Sequence, residues 1–226
     1  MAKCKNCEKS GLFLSVTENG LCRNCDSIVV MEAQQKLRII NDSRRIVDES
    51  KKLETRVGRC DLIIEFAQEL YQYEEKGIPT IDPPPSAFVR VYSEKKDEII
   101  VETLEAEAKR AKEKAVLTSS LSTKKGYLTK ALLKVREYRE KYPNIPDLAR
   151  LEDNLTQDMH RAELDDHLEA ARKAEFKGDK KKALDRYYDA AYFLRRDDVK
   201  DSLEEDIIGE IERKVKELGG SLEEPD

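Results

Sequence analysis

The sequence contains no tryptophan, and its 226 residues include only 9 glycines and 6% aromatic residues. So few glycines argue against a fold rich in β-hairpins, because tight hairpin turns draw on glycine for positive φ angles. Charge, in contrast, is abundant: charged residues make up 39% of the chain and hydrophobic residues another 39%. This balance predicts long helices, each with one apolar stripe and a broad solvated face.

Long apolar runs are also missing. The longest near the start is Ile-Val-Val-Met at 28–31, far short of the ~20 residues that a membrane-spanning helix needs. The first residues, Met-Ala-Lys-Cys, lack the apolar region of a signal peptide. We therefore expect a cytoplasmic protein with no membrane partner. In that compartment thiols stay reduced, so cysteines are candidates for metal binding before disulfides.

Recognisable catalytic motifs are absent as well. The sequence has no P-loop, dinucleotide-binding glycine motif, metalloprotease motif or nucleophile elbow. Its two histidines, His160 and His167, share one helix face near Asp165 and Asp166, but no third ligand has a matching spacing. We interpret them as partly exposed helix residues. The expectation is a protein that is not an enzyme and has no small-molecule substrate.

Positive charge is not in excess, since 42 lysines and arginines stand against 47 acidic residues, for a net charge of −5. The segment 197–226 carries 12 acids and 4 bases, which leaves a mildly basic body of +3. Strong nonspecific binding to nucleic acid depends on cation-rich surfaces. Nucleic acid is therefore a disfavoured partner. It is not excluded, because the chain before the acidic C-terminus is mildly basic.

Four of the five cysteines fall within the first 25 residues in the pattern C-x2-C-x14-C-x2-C, at Cys4, Cys7, Cys22 and Cys25. A C-x-x-C turn presents two thiolates to one ion, and two such turns supply the four soft ligands that Zn²⁺ prefers. Between them, 11–16 is predicted to be a strand, and Asn19-Gly20 indicates a turn. A helix is predicted to begin at about Asp26, close behind the second pair.

This order of knuckle, hairpin and helix resembles a treble-clef zinc finger over about residues 3–40. With four protein ligands no coordination position stays open, which predicts one structural Zn²⁺ per chain rather than a catalytic one. The alternative is a redox dithiol pair, which usually uses one C-x-x-C beside a strand–helix unit. Cys60 is separate: it lies on the apolar stripe of a helix and is predicted to be a buried thiol.

Prolines divide the rest of the chain, because proline is excluded from helix interiors. We predict a zinc finger at 1–27, a helical hairpin at 28–77 with its break near 51–55, and a stiff proline-rich connector at 78–86. A helical domain at 87–219 and an acidic tail at 220–226 complete the chain. Two local alternatives stay open: a short strand at 88–92, and an SH3-type ligand in the connector. The basic run 109–114 is interpreted as a solvated helix face.

The segment 167–194 places small residues on a first helix, a turn at Gly178-Asp179, and a second helix after it. This segment resembles a tetratricopeptide repeat: the turn, Ala183, Tyr187 and Ala190 match the second half of that family's pattern. His167 and Ala174 depart from the first half, where large aromatic residues are usual. A weaker echo occurs at 130–138, and 203–218 resembles a capping helix. The alternative is a generic antiparallel helical hairpin.

The layout as a whole resembles uncharacterised bacterial and phage-encoded proteins with an N-terminal four-cysteine finger and a helical region. We predict a mainly α fold with a small N-terminal zinc-bound β-hairpin, antiparallel helical hairpins, and a tetratricopeptide-like stack at the C-terminal end. The predicted function is a noncatalytic scaffold or adaptor that binds a protein partner or itself. The resemblance implies an association with a phage or mobile element. The alternative is a zinc-finger protein that binds nucleic acid and oligomerises through its helices.

Overall fold

A computed structural model of the chain describes residues 2–196 and 204–222. The described residues are mainly helical, with one small antiparallel sheet at the N-terminus. The strands are β1 (Ala2–Lys3) and β2 (Ser10–Gly11), and the helices are α1 (Arg23–Glu49), α2 (Leu53–Glu75), α3 (Pro85–Val116), α4 (Leu121–Lys141), α5 (Pro146–Phe176), α6 (Lys180–Arg196) and α7 (Glu204–Glu217). The predicted fold class is confirmed. Among the described helices, none combines the length and the apolar character that crossing a membrane requires.

The chain forms two compact units, Met1–Thr103 and Leu104–Asp226. The division falls within α3, so this helix contributes its first part to unit 1 and its second part to unit 2. The five segments predicted from the sequence stay a prediction. Of the predicted acidic tail, residues 223–226 lie outside the described part of the chain.

In unit 1, α1 and α2 pack against each other as a helical hairpin. The break predicted near 51–55 lies at residues 50–52, where the hydroxyl of Ser50 accepts a hydrogen bond from the Lys52 amide (3.2 Å) and ends the helix. The apolar stripes of both helices are buried between them, including Ile40, Val47, Val57, Cys60, Ile63 and Ala67. Burial of these stripes is the main stabilising contribution to the hairpin.

The first part of α3 covers this pair of helices. Pro85 is its first residue, a position where proline's missing N–H costs nothing. Phe88 and Tyr92 are buried, and the Tyr92 hydroxyl accepts a hydrogen bond from Arg44 Nε (3.1 Å). The alternative of a short strand at 88–92 is therefore wrong: aromatic and β-branched residues favour strands locally, but burial against α1 and α2 decides for helix.

Unit 2 is a series of antiparallel helices in which α5 packs against both α4 and α6, and α7 packs against α6. The predicted turn at Gly178-Asp179 is confirmed, and Gly178 has a φ of +75°, a conformation that favours glycine. The predicted helix 203–218 is observed as α7, with Leu203 outside the described residues. Helices α5, α6 and α7 share one buried apolar cluster, made of Leu164, Leu168, Ala171, Tyr187, Ala190, Ala191, Leu194, Ile211 and Val215.

Two arginines of α4 form ion pairs with one glutamate of α5. Glu152 accepts hydrogen bonds from Arg136 Nε (2.7 Å) and Arg139 (2.8 Å), and only 14% of its side chain is exposed. Burial of the carboxylate opposes ionisation, but the hydrogen bonds from the two arginines prevail and lower the pKa of Glu152.

Candidate metal centre

The first cysteine pair lies in a tight reversal of the chain between β1 and β2. The Cys4 amide donates to the Lys9 carbonyl (2.9 Å), and the Glu8 amide donates to the Cys4 carbonyl (2.9 Å). Glu8 takes a φ of 60°, which is uncommon for a residue with a side chain. The two strands pair across this reversal, with Ala2 opposite Gly11.

The predicted strand at 11–16 is wrong in its position. The strand residues are Ser10 and Gly11, and a turn at Leu12 and Phe13 follows them directly. The reversal at the first cysteine pair brings residues 2–3 beside 10–11, so the ladder forms there. Beyond it, Val16 makes only an isolated bridge to Cys22.

The second cysteine pair lies at the start of α1, where Cys22 is the N-cap and Cys25 falls in the first turn. A tight turn precedes it, in which the Gly20 amide donates to the Thr17 carbonyl (2.8 Å), so the predicted Asn-Gly turn is confirmed. Gly20 has a φ of +78°, and its carbonyl accepts a hydrogen bond from the Lys5 amide (2.9 Å). A side chain at Gly20 would place its Cβ 2.8 Å from Lys5 Cε. The two pairs are thus held together by backbone contacts.

The four sulfur atoms lie within 4.8 Å of one another. Cys7 Sγ and Cys22 Sγ are 3.9 Å apart, and the Cys22 amide donates to Cys4 Sγ (3.2 Å). Four thiolates at about 2.3 Å from a tetrahedral ion are themselves about 3.8 Å apart. The spacing of the sulfurs is therefore compatible with one metal ion bound between them.

Burial and charge in the cluster are uneven. Cys4 and Cys25 are buried, whereas Cys7 is exposed and Cys22 is half-buried. Burial and the neighbouring cysteines raise the pKa of Cys25 to about 12. Burial acts in the same direction on Cys4, but hydrogen bonds from the amides of Cys22, Cys7 and Asn6 outweigh it and lower the pKa of Cys4 to about 6. Because four thiolates at this distance repel, full ionisation calls for a cation among them.

The cysteine cluster rests on the end of the α1–α2 hairpin. Cys4, Leu21 and Cys25 share one buried cluster with Val29 and Ala33 of α1, with Leu70 and Tyr73 of α2, and with Ile78. Lys5 Nζ donates to the Gly77 carbonyl (2.8 Å), and Lys76 Nζ donates to Asn6 Oδ1 (3.0 Å). The helical hairpin therefore packs directly against the cysteine turns. These lysine contacts were not predicted, because they join residues 72 and 70 positions apart.

A half-buried polar network lies beside this cluster. The Tyr73 hydroxyl donates to Glu32 (2.7 Å), and Lys36 pairs with both Glu32 and Glu69. Burial opposes ionisation of Glu32, but hydrogen bonds from Lys36 and Tyr73 prevail and lower its pKa. Pairing these charges offsets the free-energy cost of removing them from water at the helix interface.

The remaining candidate residues lie away from the cluster. Cys60 is buried between α1 and α2, as predicted, and burial raises its pKa to about 11. His160 and His167 both pack against the ring of Phe193, with centroid distances of 5.8 Å, and both are half-buried. In residues 2–196 and 204–222, the four cysteines form the one group of three or more metal-ligand side chains within reach of a common ion.

Fold and site together define a mainly helical protein with a small N-terminal sheet and a four-cysteine group compatible with a metal ion. Comparisons with protein-family models, with curated proteins and with solved structures found no match to this chain. The resemblances to treble-clef fingers, to tetratricopeptide repeats and to phage-encoded proteins therefore stay predictions.

Proposed function

We propose that the four cysteines bind one Zn²⁺ that acts as a structural ion. The supporting observation is the spacing of the sulfurs, which suits a four-thiolate tetrahedron. Such a set leaves no position for water or substrate, so the ion stabilises the fold and takes no part in a reaction. The start of α1 lies at Cys22, whose amide donates to Cys4 Sγ, and this positive end of the helix offsets part of the negative charge of the cluster.

We further propose that the protein is a noncatalytic scaffold or adaptor whose helices bind a protein partner or a second copy. Support comes from the helix pairs of unit 2, where Ala171, Ala183 and Ala190 are fully buried and bring α5 and α6 close together, as in tetratricopeptide repeats. It also comes from apolar side chains left in solvent at the end of α3: Val116 is 82% exposed and Leu117 is 87% exposed. Exposed apolar residues that lie side by side are typical of interaction sites.

Nucleic-acid binding by the finger is the weaker alternative. Of the basic residues near the cluster, Lys3 pairs with Glu8 (3.2 Å) and Lys5 donates to the Gly77 carbonyl. Both are thereby drawn into contacts within the protein. A finger that binds a phosphate backbone needs several cations directed at solvent.

Elemental analysis of native protein tests the metal proposal. We expect about one zinc per chain, and a value below roughly 0.5 would refute the site. Cys7→Ser is the informative variant, because Cys7 is the exposed member of the cluster and its replacement leaves the core intact. Cys60→Ala is the matched control: it removes a cysteine outside the cluster and should keep the metal.

The adaptor proposal is tested with tagged full-length protein in lysate of the native host, followed by quantitative mass spectrometry. We expect one protein partner enriched above a tag-only control, or a defined oligomer by light scattering. Neither result in any growth condition would refute the proposal. A high ratio of absorbance at 260 nm to that at 280 nm after a low-salt preparation would favour the nucleic-acid alternative, because the chain lacks tryptophan.

A further inference from the structure

A groove of about 570 Å³ lies between α3 and α4 in unit 2. Its floor contains two small side chains, Ala111 and Ala131, which leave room between the helices. Leu133 and Tyr127 line it and are partly exposed, at 59% and 38%. The groove therefore offers apolar surface within reach of an extended or helical segment of another protein.

Charged residues on the walls give the groove a positive character. Arg110, Lys114, Lys130 and Lys134 line it, together with Glu107 and Glu137. Both carboxylates are already paired, Glu107 with Lys134 (2.8 Å) and Glu137 with Lys141 (2.8 Å).

Three cations are left without a carboxylate of their own. Within the part of the chain that the structure describes, no ion pair joins Arg110, Lys114 or Lys130 to an acid; Lys114 instead lies over the Tyr127 ring (5.8 Å). This site lies in the part of the chain that carries a net charge of +3, outside the acidic segment 197–226. The sequence run 109–114 indicated only a solvated basic face, because it did not show that α4 adds further cations opposite.

We propose that this groove binds an acidic segment of a partner protein that carries an apolar anchor residue. Arg110 and Lys114 are one helical turn apart, so they can meet carboxylates one turn apart on a helix. The apolar anchor would pack on Leu133 and the two alanines. A peptide fits better than a nucleic acid, since the groove combines its cations with apolar surface on Leu133 and the two alanines, which an apolar side chain can cover and a phosphate backbone cannot. The proposal rests on the adaptor function proposed above and names its binding face.

Fluorescence anisotropy tests the groove with a short fluorescein-labelled peptide in which pairs of Glu alternate with Leu. Wild-type full-length protein should bind it, and binding should weaken as salt screens the charges. Peptides with Gln for Glu, or with Ser for Leu, should compete poorly. An oligonucleotide of the same net charge should bind more weakly. Absence of peptide binding, or tighter binding of the oligonucleotide, would overturn the proposal.

Arg110 and Lys109 are neighbours on α3, so charge reversals at these two positions provide a matched pair of variants, and Lys130 provides a second test on α4. Arg110→Glu and Lys130→Glu should each weaken peptide binding about fivefold, because each reverses a charge on the groove wall. Lys109→Glu makes the same kind of change on an exposed residue outside the groove, and should alter binding less than about twofold. An equal loss with Lys109→Glu would show nonspecific attraction and overturn the site. Thermal unfolding checks that each variant folds.

Failure of the groove and failure of the adaptor function give different results. If the peptide does not bind but a host protein is enriched equally by wild type and by Arg110→Glu, the groove proposal alone is wrong. If no partner is enriched and no oligomer forms, the adaptor proposal falls as well.

Discussion

Removing the proposed Zn²⁺ should release the residues before α1 while the α1–α2 hairpin stays folded. The two parts depend on different interactions. Residues 2–22 form only two short strands and turns, and their main apolar anchor in the core is Leu21. The hairpin also buries Ile40, Val57 and Ile63, which lie outside the cluster that contains the cysteines.

The relative magnitudes support this separation. Burying one leucine such as Leu21 contributes about 1.5–3 kcal/mol. A structural zinc contributes about 10–16 kcal/mol at neutral pH in small zinc domains. Ordering a residue costs roughly 1–2 kcal/mol of backbone entropy, so without the ion one buried leucine cannot hold some twenty residues in place.

Limited proteolysis with trypsin is a suitable assay, with the bond after Lys5 as the reporter. In the folded finger the Lys5 amide donates to the Gly20 carbonyl (2.9 Å) and its Nζ to the Gly77 carbonyl (2.8 Å). Cleavage there should be slow in native protein and fast after chelation. Helical circular dichroism should change little. Cys7→Ser should be cleaved fast without a chelator, and Cys60→Ala should behave as wild type.

Two outcomes would refute this reasoning. Equal cleavage after Lys5 with and without chelator would mean that the metal does not hold the finger. Loss of most helical signal on chelation would mean that the hairpin depends on the ion, and that the residues buried outside the cysteine cluster do not hold it together.

Three further predictions concern stability, each measured by urea unfolding. Leu155→Ala should cost about 2–5 kcal/mol because Leu155 is fully buried, whereas Leu133→Ala, at an exposed position, should stay within about 0.5 kcal/mol. Glu152→Gln should lower the free energy of unfolding by about 1 kcal/mol at pH 7. Because the folded-state pKa of Glu152 is lowered, its contribution to stability is present above the ordinary pKa of 4.5 and is lost as the pH falls through the lower folded-state pKa. The stabilities of wild type and variant should therefore converge in acid. Gly178→Ala should lower the free energy of unfolding by about 1 kcal/mol, because Gly178 has a φ of +75° and no atom lies near the new Cβ. Gly178→Asn should lower it less. Equal stability of all three proteins would contradict the argument from backbone strain.

Much of the fold could be predicted because periodic apolar residues determine which helix faces are buried. The stripe containing Val57, Cys60 and Ala67 has helical spacing, and these three residues are buried in α2 as expected. The cysteine pairs were equally predictable, since C-x-x-C spacing brings two sulfurs to one ion without any long-range information.

Other features depend on contacts that local sequence does not encode. Leu12 and Phe13 have the composition of a strand, yet they lie exposed in a turn because the strands pair around the first cysteine reversal. The bond from Tyr73 to Glu32 joins residues 41 positions apart, and the groove between α3 and α4 requires two helices whose cations look unremarkable separately. Only the packed chain brings these residues together.

The burial of Cys60 has a practical consequence for thiol chemistry. Alkylating reagents attack the thiolate, and a sulfur with a pKa of about 11 is almost entirely protonated at neutral pH. Cys60 should therefore stay unlabelled in native protein, and reagent uptake should come from Cys4, Cys7 and Cys22, which leave the cluster when loss of the metal releases the residues before α1. Counting labelled sulfurs by intact mass would then follow occupancy of the cluster chain by chain, with Cys60 as a silent internal reference until the helical hairpin itself unfolds.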